Sequence, residues 1–154
     1  MVTPARGAAF GDLFNDGKID VVINPVDGPP VLLRNVNPDR HHWVELALVG
    51  GPKSPRDATC ATVYLSANGM RQRQDVLSSG SYISSNDRRL HFGLGDAADA
   101  GTAEIHWPSG AKETVKLPAE DRIFTITEGK GITGALCGGS ACAAEAKTAA
   151  VKAK

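Results

Sequence analysis

The sequence predicts an all-β fold: a small antiparallel β-sandwich or barrel of about seven strands, with an N-terminal β-hairpin and a disordered C-terminal tail. Three observations support this. The 154 residues include 17 glycines and 9 prolines, a composition that favours short strands joined by turns over long helices. Apolar and polar residues alternate in several short runs. These runs recur at the spacing typical of antiparallel sandwiches.

Residues 1–36 predict the hairpin. The stretch 19–23 is β-branched and apolar, which favours a strand. Asp27-Gly28-Pro29-Pro30 is a strong turn signal, and the stretch 31–35 predicts a second short strand. Because an isolated hairpin is only marginally stable in water, we expect this one to pack on another part of the protein.

Residues 37–129 predict the main domain. Val44, Leu46 and Leu48 alternate with more polar neighbours, as on a strand with one buried face. Asn68-Gly69 separates two alternating runs and predicts a tight hairpin turn. Four further strands are predicted near 89–94, 103–107, 113–117 and 122–127.

The segment 130–154 is rich in glycine, alanine and lysine and has no apolar stripe. We therefore predict that this tail is mostly disordered. Cys137 and Cys142 bracket four residues, a spacing that permits a small disulfide loop and leaves Cys60 over.

Composition also limits the function. The 17 basic and 17 acidic residues balance, so no basic excess favours nucleic-acid binding. No apolar run approaches the roughly 18–20 residues that span a bilayer. Residues 1–7 lack the apolar stretch of a signal peptide. We expect the chain to be the C-terminal part of a longer exported protein.

The segment 12–20 carries the clearest chemical pattern. Calcium prefers oxygen ligands, which a loop supplies from alternating positions. Asp12, Asp16, Asp20 and the carbonyl of Lys18 match the pattern D-x-D-x-D-G-x-x-D, whereas Phe14 stands where another carboxylate belongs. Two interpretations stay open: a calcium loop, or a turn rich in Asp and Asn that holds no metal. The segment resembles the FG-GAP or VCBS repeats of β-propellers, a resemblance that implies calcium. A propeller needs about four to eight blades, so the rest of it is predicted to lie outside this chain.

The main domain resembles the ASPIC/UnbV family. The matching segments, in order, are 54–58, 80–87, 89–95, Ile105-His106-Trp107-Pro108-Ser109-Gly110 and Thr127-Glu128-Gly129. Cys60 departs from the pattern, because the family has glycine before Ala61. The resemblance implies a secreted, extracellular or periplasmic protein with matrix or surface association, and no catalytic residue.

We therefore expect a non-catalytic extracellular binding or adhesion module with a protein or glycan partner. One alternative is a structural domain that caps a propeller and has no ligand, the hairpin packing on it through apolar contacts. Another is a small hydrolase that uses Cys60 or Ser81 with His91 or His106. The candidate ligand surface comprises Trp43, Tyr82, Arg88, Arg89 and Trp107. A glycan site would need exposed aromatic rings.

Overall fold

The computed structural model describes residues 4–38, 41–80 and 82–138, which form eleven β-strands in three sheets. The strands are β1 (Ala5–Gly11), β2 (Asp20–Pro25), β3 (Val31–Leu33), β4 (His42–Val49), β5 (Thr62–Ala67), β6 (Met70–Asp75), β7 (Leu90–Gly95), β8 (Thr102–His106), β9 (Lys112–Lys116), β10 (Arg122–Thr127) and β11 (Gly131–Cys137).

Two four-stranded sheets form a sandwich. One has the order β11-β10-β4-β7 and the other β6-β5-β8-β9. Neighbouring strands are antiparallel except for β4 and β10, which run parallel. The core between the sheets is apolar, and its largest fully buried members include Phe92, Phe124, Leu46, Leu65 and Ile105.

The predicted all-β class is confirmed, and the two sheets do not close into a barrel. The seven strands expected within 42–128 correspond to β4 through β10. The predicted Asn-Gly turn joins β5 to β6, with Ala67 opposite Met70 and positive φ angles of 48° at Asn68 and 74° at Gly69. Such a turn matches the twist of the flanking strands.

The predicted tail was wrong for residues 131–137. They form β11, which pairs with β10 from Arg122–Cys137 to Thr127–Gly131. The sequence did not predict this edge strand, because it contains two glycines and its apolar residues do not alternate clearly with polar ones. Residues 139–154, and with them the predicted bond to Cys142, lie outside the described part of the chain.

The N-terminal hairpin is part of a larger sheet. Strands β2 and β3 pair as predicted, and β1, which the sequence did not predict, pairs with β2 to give the order β1-β2-β3. Five of the seven residues of β1 are alanine or glycine (Ala5, Gly7, Ala8, Ala9 and Gly11), and both are poor strand formers. A neighbouring element therefore has to stabilise β1.

Candidate functional site

Strand β4 is buried on both faces. Val44 and Leu46 point into the sandwich core, while Trp43 and Glu45 point to the outer face and are nonetheless only 7% and 1% exposed. On the adjacent strand, His91 lies directly opposite Glu45. The N-terminal segment covers this outer face. We call the covered region the junction and define it by Asp12, Trp43, Glu45, Asp87, Arg89 and His91.

Trp43 lies against the turn of the 12–20 loop. Its indole stacks on His91, with ring centroids 5.9 Å apart. A Cβ added to Gly17 would lie 2.0 Å from the indole Nε1, and one added to Gly138 would lie 2.3 Å from Cζ2. Gly17 also has a φ of 81°, a conformation that glycine adopts without steric cost. Both glycines therefore let the backbone approach the tryptophan closely.

The loop 82–87 runs beside β1 and supports it. The Asp87 amide donates to the Phe10 carbonyl at 2.9 Å, and the Phe10 amide donates to Asn86 Oδ1 at 3.1 Å. A Cβ on Gly7 would lie 2.1 Å from Ser84 Oγ. The main domain thus covers the free edge of β1, leaving β3 as the open edge of the N-terminal sheet.

Arg89 is the central polar group of the junction. Its guanidinium donates to the Asp12 carbonyl at 2.6 Å and to Asn15 Oδ1 at 2.6 Å, both in the N-terminal loop. It also donates to Asp87 Oδ2 and pairs with Glu45 Oε2 at 3.0 Å, both in the main domain. Burial opposes its charge, but the hydrogen bonds to Asp87 and the charges of Glu45, Asp87 and Asp12 outweigh burial and raise the pKa of Arg89.

Glu45 is a buried carboxylate, and its charge is stabilised mainly by an ion pair. Its Oε1 lies 3.4 Å from His91 Nδ1, while Oε2 accepts no hydrogen bond from the described residues and relies on the ion pair with Arg89. A pocket of about 250 Å³ opens beside these groups, lined also by Phe10, Asp12, Gln74 and Asp87. Such a charge is costly to bury without a partner, so Glu45 and Arg89 depend on each other.

The carboxylates of the predicted calcium loop accept hydrogen bonds from backbone amides. Asp12 accepts from Asp16 and Gly17 at 3.0 and 2.6 Å, and Asp20 accepts from Leu13 and Asn35 at 3.3 and 2.8 Å. Within the described ranges, no group of three or more His, Cys, Asp or Glu side chains is arranged to hold a metal ion. Calcium binding here stays a prediction.

Two cationic side chains lie around the same loop. Arg34 lies 4.0 Å above the Phe14 ring and pairs with Asp16 at 3.6 Å. Lys18 donates from Nζ to the Asn37 carbonyl at 2.5 Å, and its amide donates to Asp16 Oδ1. Phe14, which replaces the expected carboxylate, therefore stacks with a guanidinium.

The remaining residues of the predicted ligand surface are dispersed. Trp107 is buried in the sandwich core and Tyr82 is 68% exposed on a loop, while Arg88 pairs with Asp57. Because Trp43 and Trp107 are both buried, they form no exposed platform for a sugar ring. The glycan hypothesis keeps only Tyr82 from its three aromatic residues.

The histidines of the hydrolase hypothesis have other partners. His91 contacts Glu45 and Trp43, and His106 contacts Glu104 at 2.6 Å and the Tyr64 ring at 5.3 Å. None of these contacts involves Cys60, which is exposed. Ser81 lies outside the described residues.

Sequence reasoning missed Glu45 and Asp87 as members of the junction. A charged residue inside the apolar run of β4 is a visible signal, since a glutamate is rarely fully buried unless it is paired. Its partner could not be identified from the sequence, because Arg89 is 44 residues away and contacts Glu45 only through the pairing of β4 with β7.

The fold and the junction together define an all-β sandwich module that carries an additional N-terminal sheet on one outer face. The family model described as "ASPIC and UnbV" matches residues 51–133, more than half of the chain. The chain therefore belongs to the ASPIC/UnbV family. No curated protein matches it. The described residues include no helix long and apolar enough to cross a membrane.

Proposed function

We propose that this chain is a non-catalytic module of a larger exported protein, in which the ASPIC/UnbV domain holds the last unit of a repeat array. The preceding 1–36 segment is then a partial FG-GAP/VCBS-type repeat, and the array presents an extracellular protein or glycan surface to its partner. Family membership supports a domain within a larger protein. The proposal that this larger protein contains a repeat array is supported by the N-terminal sheet.

The apolar faces of the N-terminal sheet carry this proposal. Phe10, Val21 and Leu33 are cross-strand neighbours on one face, and Ala9, Val22 and Leu32 are neighbours on the other. None of the described residues before 41 belongs to the sandwich core. Phe10, Leu32 and Leu33 are each about half exposed. A sheet with two apolar faces is normally covered on both sides, so it has the character of an inner unit of a stack.

The open edge points to the same arrangement. The loop 82–87 covers β1, whereas no described strand pairs with the outer side of β3. Val36, just beyond β3, is 78% exposed. Large exposed apolar patches mark interaction sites. In the proposed array, neighbouring repeats of the parent protein cover these side chains.

Hydroxyl-radical footprinting tests the proposal by comparing this chain with the longer parent protein. We expect Leu32, Leu33 and Val36 to be labelled in this chain and protected in the parent protein. Leu136, which is 63% exposed on the sandwich, is the internal control and should be labelled equally in both. Equal labelling of all four residues in the two proteins would reject the array.

Localisation provides an independent test of the exported role. Cell fractionation with an antibody against the sandwich should find the parent protein in the medium, on the cell surface or in the periplasm. Recovery in the cytoplasmic fraction alone would contradict extracellular binding while leaving the packing of the repeats to the footprinting experiment.

A further inference from the structure

Cationic side chains of the protein lie around the carboxylates of the 12–20 loop. The loop carries the carboxylates of Asp12, Asp16 and Asp20. Three cationic side chains lie at this loop: Lys18 within it, whose Nζ donates to the Asn37 carbonyl, Arg34 beside Asp16 and Phe14, and Arg89 beside Asp12 and Asn15. Calcium sites depend on an excess of anionic oxygen ligands. Arg34 pairs with Asp16, and Arg89, whose charge is shared with Glu45 and Asp87, lies against Asp12 and Asn15. Cationic side chains of the protein thus offset part of the negative charge that would attract a divalent ion.

The donor set also departs from that of a calcium site. Phe14 contributes a ring where a carboxylate is expected, and the carboxylates of Asp12 and Asp20 each accept two backbone hydrogen bonds. These bonds hold the turn without an ion. The loop geometry is therefore maintained by groups already within the chain.

Arg89 bridges the N-terminal loop and the main domain. Within the loop it donates to the backbone carbonyl of Asp12 and to the side-chain oxygen of Asn15, and not to the carboxylates of the predicted calcium site. The atoms around its guanidinium are all oxygens: a backbone carbonyl, an amide oxygen and two carboxylates. They come from both the N-terminal loop and the main domain. Unlike a calcium ion, the guanidinium belongs to the chain itself, on the residue just before β7. It therefore attaches the loop to the domain at any calcium concentration.

We propose that the Arg89 guanidinium, rather than a calcium ion, attaches the 12–20 loop to the main domain and makes the docking of the N-terminal sheet independent of metal. Arg34 has a smaller part, since its side chain is about half exposed and its pair with Asp16 is long. This proposal concerns the chain alone and requires no partner, so it can fail or hold separately from the repeat array.

The first measurement is thermal melting of the full chain in millimolar calcium and in excess chelator. We expect the same melting temperature in both conditions. A ligand that binds only the folded state at about 100 times its Kd raises stability by roughly 2.7 kcal/mol, which shifts the melting temperature of such a domain by several degrees. A rise of that size in calcium would overturn the proposal.

The second measurement is hydrogen exchange of the Arg89→Met variant, read at the amides of Leu13, Asp16, Gly17 and Asn35. Methionine keeps a long apolar side chain and removes the charge. We expect faster exchange at these amides and unchanged exchange in β5 and β8. Arg88→Met is the matched control, because Arg88 pairs with Asp57 away from the junction.

Arg89→Lys is a second, more conservative variant, which keeps the test valid if Arg89→Met does not fold. It keeps the positive charge but loses the planar set of donors, and we expect exchange at the same amides between that of the wild type and that of Arg89→Met. If Arg89→Met and Arg89→Lys both exchange like Arg88→Met, Arg89 does not hold the loop and the proposal is wrong.

Discussion

Cys60 has a left-handed backbone conformation, with φ at 74°, just before β5. Its amide donates to the Val76 carbonyl at 2.9 Å, which fixes the turn in this conformation. A side chain with a Cβ adopts such a φ at a cost of about 1–2 kcal/mol, whereas glycine does not pay it. This explains why the ASPIC/UnbV pattern has glycine here.

Cys60→Gly is therefore expected to stabilise the protein. Relief of strain is partly offset by the greater freedom of glycine in the unfolded chain, worth about 0.4–1 kcal/mol. The net gain is then a few tenths to about 1 kcal/mol, measured by urea unfolding. Cys60→Ala is the control, since it removes the thiol but keeps Cβ. An equal gain in both variants would attribute the effect to the thiol and contradict the argument from φ.

At the scale of elements, Glu128 connects three turns of the sandwich. Its Oε2 accepts from the Gly51 amide at 2.7 Å, and its Oε1 accepts from the Ser109 hydroxyl. The Ser109 amide in turn donates to Ser54 Oγ at 3.2 Å. Three segments that carry the family resemblance therefore meet at one carboxylate. Their role here is to fix turns, and no catalytic arrangement is needed to explain them.

These contacts give the stability a dependence on pH. The Ser109 hydroxyl, followed by the Ser54 hydroxyl and the Gly51 amide, lowers the pKa of Glu128 from its usual 4.5. A lowered carboxyl pKa adds stability above the unfolded-state pKa, and this stability is lost as the pH falls through the folded-state pKa.

Glu128→Gln should accordingly be less stable than the wild type at neutral pH. Because the carboxylate is largely solvated, we expect a difference below about 1 kcal/mol. The difference should shrink as the pH falls below the usual carboxyl pKa of 4.5 and through the lowered pKa of the folded state. Urea unfolding of both proteins at several pH values measures it. If the difference in unfolding free energy between the two proteins stays the same at acidic pH, the charge of Glu128 is not what stabilises the three turns.

The elements also show how far the sequence could be interpreted. Strands with an apolar face, such as β4 and β7, and the Asn68-Gly69 turn were predictable because local chemistry determines them. Strands β1 and β11 were not, since both are edge strands rich in alanine and glycine. A partner strand stabilises each of them through backbone hydrogen bonds, which leave no pattern in the side chains.

At the scale of the whole molecule, the junction could not be predicted from local sequence patterns. It brings together a loop at 12–20, the outer face of β4 and the segment 86–91, and only the pairing of β4 with β7 makes these regions neighbours. Local sequence patterns identified the candidate loop residues and Arg89 only as separate features. The N-terminal segment was expected to pack through apolar contacts. Its contacts with the main domain are mainly hydrogen bonds, and Trp43 is the chief apolar contact.

A chain that lacks residues 1–36 tests this architecture. The sandwich core draws on residues from Val44 to Ile126, so we expect the shortened chain to fold, with a lower melting temperature. Trp43 would lose its contact with Gly17 but keep those with Gly138 and His91, and would become more exposed to water, while Trp107 would stay in the core. Tryptophan fluorescence should therefore shift to longer wavelength.

The two tryptophans separate the possible results. In the Trp43→Phe variant, Trp107 is the only tryptophan that remains. Removal of residues 1–36 from this variant should leave the emission of Trp107 unchanged. A shift that persists in this variant would show that the sandwich itself has opened, because Trp107 packs between its sheets. Unchanged emission in the chain that keeps Trp43 would show that the N-terminal sheet does not cover β4. The covering of Trp43, Glu45 and His91 is therefore what joins the N-terminal sheet and the sandwich into one structure.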